Sequence, residues 1–174
     1  GYWLGTPDGE YGYLTQQAVM ALQKTAGLGR DGVYGPATRA ALERGVVPKL
    51  VVSGNAVQIS LANQVLTVVE NSRIVAILNT STGSGETYVS QGVTKTAITP
   101  KGTFSVIHEV NGLDHGPLGT LYRSKYFVGG IAVHGYTSVP AYPASHGCAR
   151  VSNSALDMIW SRDPMPMGRT VVVF

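Results

Sequence analysis

Hydrophobic positions recur with two different periods along this chain, and the change from one to the other falls close to residue 50. Between Leu14 and Thr25 the apolar residues Ala18, Val19 and Leu22 form one stripe at helical spacing, and Gly27 stands just past the end as a left-handed stop. A second helical stretch runs from Pro36, a residue suited to the first helical position, to Arg44 and stops at Gly45. Pro48 and Gly54 then break the helical pattern. Beyond them Gln58–Leu61, Gln64–Glu70 and Arg73–Thr80 are rich in Val, Ile, Leu and Thr and are split by Ala62-Asn63 and Asn71-Ser72, which predicts successive hairpins. Thr103–His108, Gly130–His134 and Thr170–Phe174 predict further strands. One more helix is predicted directly after Cys148: Ser152 or Asn153 caps it, Ala155, Leu156, Ile159 and Trp160 form its buried stripe, and Pro164 lies beyond its end. The pattern therefore predicts a small all-α module over 1–47, a linker over 48–54, and a mainly β domain with one clear helix over 55–174.

The helical module rests on a repeat. Asp8, Gly9, Tyr11, Gly12, Thr15 and Ala18 recur at a constant offset as Asp31, Gly32, Tyr34, Gly35, Thr38 and Ala41. Each copy reads as an Asp-Gly turn, a second Gly at which the chain doubles back, and then a helix. These paired units resemble the peptidoglycan-binding module found beside many cell-wall enzymes. In that family another helix precedes the first repeat, and here the sequence opens too close to the repeat to hold all of it. Two roles stay open for the segment: holding the chain on its polymer, or serving as a small spacer.

Composition narrows the function classes. With 174 residues, 44% of them hydrophobic, the chain can bury one good core and a smaller second one. A formal charge of +3 and 13% charged residues suit contact with an anionic polymer but fall short of a nucleic-acid footprint. The longest apolar runs, Ile74–Leu78 and Val171–Phe174, are far below the roughly 20 residues of a membrane helix, and no signal peptide lies within the 174 residues, which leaves export open. Cys148 is the single cysteine, so an intramolecular disulfide is impossible and a Cys-rich zinc site is not expected.

The chemistry-bearing stretch is Ile131-Ala132-Val133-His134-Gly135, a turn-rich segment through Pro140 and Pro143, and then Ser145-His146-Gly147-Cys148-Ala149-Arg150-Val151. Two histidines, a thiol and an arginine, with Gly at the tight points, make a poor core and a good site. A neutral thiol is a weak nucleophile, so a reactive cysteine is expected to form an ion pair with a nearby imidazole. His134, ending an apolar strand, can be held rigidly. Gly147 permits a sharp turn, so that N–H groups around Gly147 and Cys148 can converge on an oxyanion. A helix starting after Cys148 would further favour the thiolate.

These residues resemble the signature of the L,D-transpeptidase catalytic domain, often called the YkuD fold, a β-sandwich. Supporting pieces are Ile59-Ser60-Leu61 to Leu66, the Thr99-Pro100-x-Gly102-x-Phe104 turn, and Tyr126-Phe127 before Gly130-Ile131-Ala132-Val133-His134. The resemblance implies Cys148 as nucleophile, His134 as general base, and the carbonyl of Gly135 as the group that orients the ring. It implies that His146 and Gly147 shape the oxyanion hole and cleft, that Arg150 and Ser145 serve substrate binding or hold the loop, and that Tyr122 lines the acyl-donor pocket. His108 and His115 carry no motif and read as ordinary surface residues. The implied partners are peptidoglycan stem peptides as acyl donor and acceptor, with carbapenem β-lactams as inhibitors. No cofactor, metal or nucleic acid is implied, and the place of action is extracytoplasmic.

Several rivals remain. A zinc peptidoglycan hydrolase lacks any His-Glu-x-x-His or other compact ligand motif. A papain-like hydrolase requires its histidine after the nucleophile, whereas all four histidines precede Cys148. An L,D-carboxypeptidase acting on the same stems, and an inactive wall-binding protein, share every motif residue with the transpeptidase reading.

Overall fold

In both repeats the Asp side chain closes the turn through its own backbone. Asp8 Oδ1 accepts from the N–H of Glu10 and Asp31 Oδ1 from that of Val33, each at 2.9 Å, with Gly9 and Gly32 at positive φ. The second Gly of each unit does not double the chain back. Gly12 and Gly35 are extended helix N-caps, starting α1 (Tyr13–Ala26) and α2 (Pro36–Glu43). Gly27 ends α1 in the left-handed conformation.

The computed structural model describes residues 1–174. After the helices come β1 (Ala56–Ser60), β2 (Val65–Glu70), β3 (Arg73–Asn79), β4 (Thr87–Ser90), β5 (Val93–Thr96), β6 (Gly102–Ser105), β7 (His108–Glu109), β8 (Leu113–Gly116), β9 (Gly119–Val128), β10 (Ile131–Tyr136), β11 (Ala149–Ser152), α3 (Asn153–Arg162) and β12 (Thr170–Val173). One sheet has the order β3-β2-β1-β12-β6; the other has β11-β10-β9-β7, with β8 also paired to β9, and β4-β5 is a separate hairpin. The chain is thus a mainly β sandwich with a helical segment before it.

The core lies between the sheets. Val57 and Ile59 of β1, Leu66 and Val68 of β2, and Val171 and Val173 of β12 face Phe127, Val133, Ala149 and Val151 of the second sheet. Leu156 and Ile159 of α3 complete it. Alternation explains this division, because every second residue of a strand shares a face. Ser152 caps α3, its Oγ accepting from the N–H of Ala155 at 3.1 Å.

The helical segment is joined to the sandwich through side chains. On the outer face of the first sheet, Val65 and Ile77 pack against Ala21 of α1, with Tyr2 and Ile74 alongside. Lys24 of α1 is 1% exposed, and its ammonium donates to Gln64 O and Thr80 O, each at 3.0 Å, and to Asn79 Oδ1. The N-terminal residues extend the same edge, where Trp3 N–H donates to Ile77 O at 3.0 Å and Ile77 N–H to Gly1 O at 2.8 Å.

The hairpins over β1 to β3 and the strands β6, β10 and β12 fall where the hydrophobic pattern places them. Strands β4, β5, β7, β8, β9 and β11 are additional. The helix α3 starts at its expected cap, Ser152, but β11 fills the four residues between it and Cys148, so the helix N-terminus lies too far along the chain to favour a thiolate there.

Candidate active site

Because Val133 on β10 and Ala149 and Val151 on β11 turn into the core, their neighbours His134, Cys148 and Arg150 turn the other way. They line a cleft of about 460 Å³ together with Asp114, Tyr126, Tyr136 and His146. The parallel pairing of β10 with β11 sets His134 opposite Arg150. Cys148 falls beside Ala132, whose N–H points at Sγ from 3.5 Å.

His134 is 2% exposed, and its Nδ1 lies 2.9 Å from Gly135 O. A carbonyl only accepts, so Nδ1 carries the hydrogen and Nε2 is left as a proton acceptor. Burial pushes the imidazole down to about 4; the bond to Gly135 opposes this and the charge of Arg150 adds to it. Burial also pushes the Cys148 thiol up, against the Ala132 N–H and the charge of Arg150, which pull it down. Burial thus disfavours charge on both groups, which runs against the ion pair expected from the residue types.

The loop that delivers Cys148 is fixed by its own hydrogen bonds. Ser145 Oγ donates to Cys148 O at 2.5 Å and accepts from Gly147 N–H at 3.0 Å. Thr99 Oγ1 donates to Gly147 O at 2.6 Å, which gives the Thr99-Pro100 turn its part in the site. Gly147 has φ +140°, and a Cβ there would lie 3.0 Å from Ile98 O. Gly147 is buried behind Cys148, with its N–H already engaged, so it is not a donor to an oxyanion. The Cys148 N–H has no backbone acceptor and remains available. Ser145, 2% exposed with its hydroxyl engaged within the loop, clamps the nucleophile from the cleft wall.

Arg150 stacks over the Tyr136 ring, 4.3 Å from its centroid, and donates from Nη1 to Ala144 O at 3.1 Å. Its Nε is buried without a partner. His146 is exposed on the rim, edge-on to Tyr88 of the β4-β5 hairpin at 4.6 Å between centroids. His108 stacks on Tyr126, and His115 Nδ1 lies 2.9 Å from Thr120 Oγ1; neither lines the cleft.

Tyr122 is the residue that the structure moves away from the site. Arg123 has φ +53°, a rare conformation for a non-Gly residue, and marks a register irregularity between β9 and β10. The bulge breaks the alternation, so Tyr126 faces the cleft while Tyr122 faces the core side. There Tyr122 pairs with Gly135 and donates to Asp157 Oδ1 at 2.8 Å on α3. A Cβ on Gly135 would come within 2.6 Å of both Tyr122 Cδ1 and Asn153 Oδ1, so only glycine lets the strand end and α3 approach this closely. Asp114, Tyr126 and Tyr136 line the cleft without having been singled out as site residues. The Tyr126-Phe127 pair and the step of two from His134 to Tyr136 were the available signals.

Comparisons with known proteins bear on the family and the fold. Residues 54–173 match the L,D-transpeptidase catalytic domain, and residues 1–42 match a peptidoglycan binding domain. A crystal structure of the L,D-transpeptidase from Xylanimonas cellulosilytica is 50% identical, covers 100% of this chain and 87% of its own, and superposes with a TM-score of 0.96. L,D-transpeptidase 3 from Mycobacterium tuberculosis, in complex with a faropenem-derived adduct, is 16% identical, covers 68% of this chain and 59% of its own, and shares the fold at a TM-score of 0.54. N-acetylmuramoyl-L-alanine amidase CwlL of Bacillus licheniformis is 63% identical over 35 residues, 20% of this chain; the chain spans 10% of that amidase's length.

Proposed function

The chain belongs to the L,D-transpeptidase family, and on that premise we propose that it forms or exchanges stem-peptide cross-links in peptidoglycan by acyl transfer through Cys148, outside the cytoplasm. The observation that carries the reading is that the single cysteine shares one cleft with a histidine whose Nδ1 is anchored to Gly135 O, leaving Nε2 to take a proton.

In this account Nε2 of His134 removes the thiol proton as Sγ attacks the carbonyl of the third stem residue. Both groups start neutral, so charge appears only as the bond forms, which is where a positioned base is most effective. The N–H of Cys148 donates to the developing oxyanion. The C–N bond to the terminal D-alanine breaks, its nitrogen takes the proton from His134, and a thioester remains. An amine from a second stem then attacks the thioester and releases the thiol. Arg150, whose guanidinium lines the cleft with Cys148, is suited to the carboxylate of the leaving D-residue. The faropenem-derived adduct on the Mycobacterium tuberculosis relative supports β-lactams as alternative acyl donors for this site.

The 1–42 match to a peptidoglycan binding domain supports a second role, retention on the polymer. Product analysis with a defined tetrapeptide stem tests the main reading: cross-linked dimer plus D-alanine is expected. Release of D-alanine with no dimer at saturating acceptor would make the protein a carboxypeptidase instead.

A further inference from the structure

The cleft holds one carboxylate, and no cation of the protein pairs with it. Asp114 on β8 faces the cleft with Tyr126 of β9, whose hydroxyl donates to Asp114 Oδ2 at 2.5 Å. The ion pairs of the protein join Arg39 to Glu43, Arg123 to Asp157, and Lys125 to Glu109 and Asp163, and none includes Asp114. The only guanidinium in the cleft, Arg150, lies on β11 close to Cys148, whereas Asp114 belongs to the hairpin beyond β9. The cleft is thus polarised, with a cation two residues from the nucleophile and an anion on the far hairpin.

That polarity matches the two substrates of the acyl transfer proposed above, on which this inference rests. The donor carries a carboxylate on its leaving residue. The acceptor attacks with a primary amine, which is an ammonium at neutral pH. A carboxylate without a counter-ion, held in a partly buried cleft, favours such a cation by charge-assisted hydrogen bonding.

We propose that Asp114, held in place by Tyr126, is the acceptor subsite: it binds the primary ammonium of the incoming stem and sets it against the thioester on Cys148. Burial and the neighbouring carboxylate push Tyr126 up to about 12, so its phenol keeps its proton and continues to orient the carboxylate at neutral pH. The protons balance in three parts. One leaves the ammonium for solvent as it becomes a nucleophile, one passes through His134 Nε2 to the departing Cys148 Sγ, and one stays on the new amide nitrogen. The C–N bond forms as the C–S bond breaks. Asp114 is a binding group in this scheme and takes no proton.

The test uses the full chain and the partition of one common thioester. Wild type and Asp114→Asn are given a tetrapeptide donor with an amine-bearing tetrapeptide acceptor, and separately with methanol, an uncharged acceptor. Asn keeps the shape and still accepts from Tyr126, so folding is checked by the melting transition alone. The expected result is a rise of at least tenfold in acceptor KM and an equal fall in the ratio of cross-linked to hydrolysed product, with the methanol ratio within twofold of wild type. Tyr126→Phe should move the same ratio in the same direction by a smaller factor. An amine ratio within twofold of wild type in Asp114→Asn overturns the proposal, as does an equal loss with methanol, which would make Asp114 a general support of the cleft. A wild-type protein that forms no thioester contradicts the acyl-transfer reading itself, an outcome separate from both.

Discussion

Lys24 on α1 and Arg150 on β11 are joined through one residue. The Lys24 ammonium donates to Thr80 O at 3.0 Å, and Thr80 Oγ1 donates to Arg150 O at 2.7 Å. A second route runs from Lys24 to Gln64 O, and from Gln64 through Thr82, whose carbonyl accepts from the N–H groups of Ala144 and Ser145. The helical segment and the loop that delivers the nucleophile therefore belong to one polar network.

Replacing Lys24 with Met leaves Asn79 Oδ1 and Thr80 O without a donor, while Gln64 O keeps the N–H of Thr80, and each unpaired buried acceptor costs about 1 to 3 kcal/mol. A loss on the order of 3 kcal/mol is expected in denaturant unfolding. Burial, with Arg30 adding to it, lowers the Lys24 ammonium to about 7. The unfolded state then binds more protons than the folded one from about pH 7 to the ordinary lysine value of about 10.4, so this group's contribution to stability rises with pH across that window. The stability gap between wild type and Lys24→Met should widen from pH 7 to pH 9. A constant gap would mean that Lys24 titrates as an ordinary surface lysine.

Removal of residues 1–47 uncovers Val65 and Ile77 and leaves Asn79 and the carbonyl of Val139 without Gln17. The shortened chain should melt at a lower temperature than the full chain and acylate more slowly, because the loop over 137–147 loses supports on Val139 and Ala141. Equal melting and equal acylation would show that the helical segment is only a tether.

With burial raising the thiol and lowering the imidazole, thiolate accumulates only above the ordinary thiol value of about 8.5. The rate of alkylation of Cys148 by iodoacetamide should climb through pH 8.5 without a plateau between pH 6 and 8. His134 should show its NMR titration near pH 4 and none between pH 6 and 7. A rate already level by pH 6 would restore the ion pair.

Tyr122→Phe removes the bond to Asp157 on the core side of the sheet. A stability loss of about 1 kcal/mol is expected, with the rate of β-lactam acylation within twofold of wild type. A tenfold loss in that rate with unchanged stability would return Tyr122 to the donor pocket.

What could be read from the sequence was local. The Asp-Gly repeats, the hairpins at Asn71-Ser72, the cap at Ser152 and the motif from His134 to Cys148 are each set by neighbours within a few residues, and each keeps its meaning in the fold. What could not be read depends on contacts distant in sequence. Lys24 looks like a polar helix residue until α1 docks on β3, and then it is a buried ammonium with three acceptors. Tyr122 and Tyr126 share a face under strict alternation, and only the positive φ of Arg123 separates them. Likewise Ala149–Ser152 is too short and too close to the motif to show itself as a strand ahead of the cap at Ser152. Asp114 sits in a polar hairpin with no motif, and its pairing with Tyr126 gives it meaning.

Intact-mass measurement of the whole chain after incubation with a carbapenem tests the central claim most directly, because it reports nucleophile, base and donor pocket in one event. The account predicts a single adduct of the mass of the whole drug, mapped to the peptide containing Cys148, absent in Cys148→Ala, slowed at least a hundredfold in His134→Ala, and unaffected by a chelator. An adduct that persists in Cys148→Ala, or no adduct on a wild-type protein whose Cys148 is readily alkylated, would contradict it.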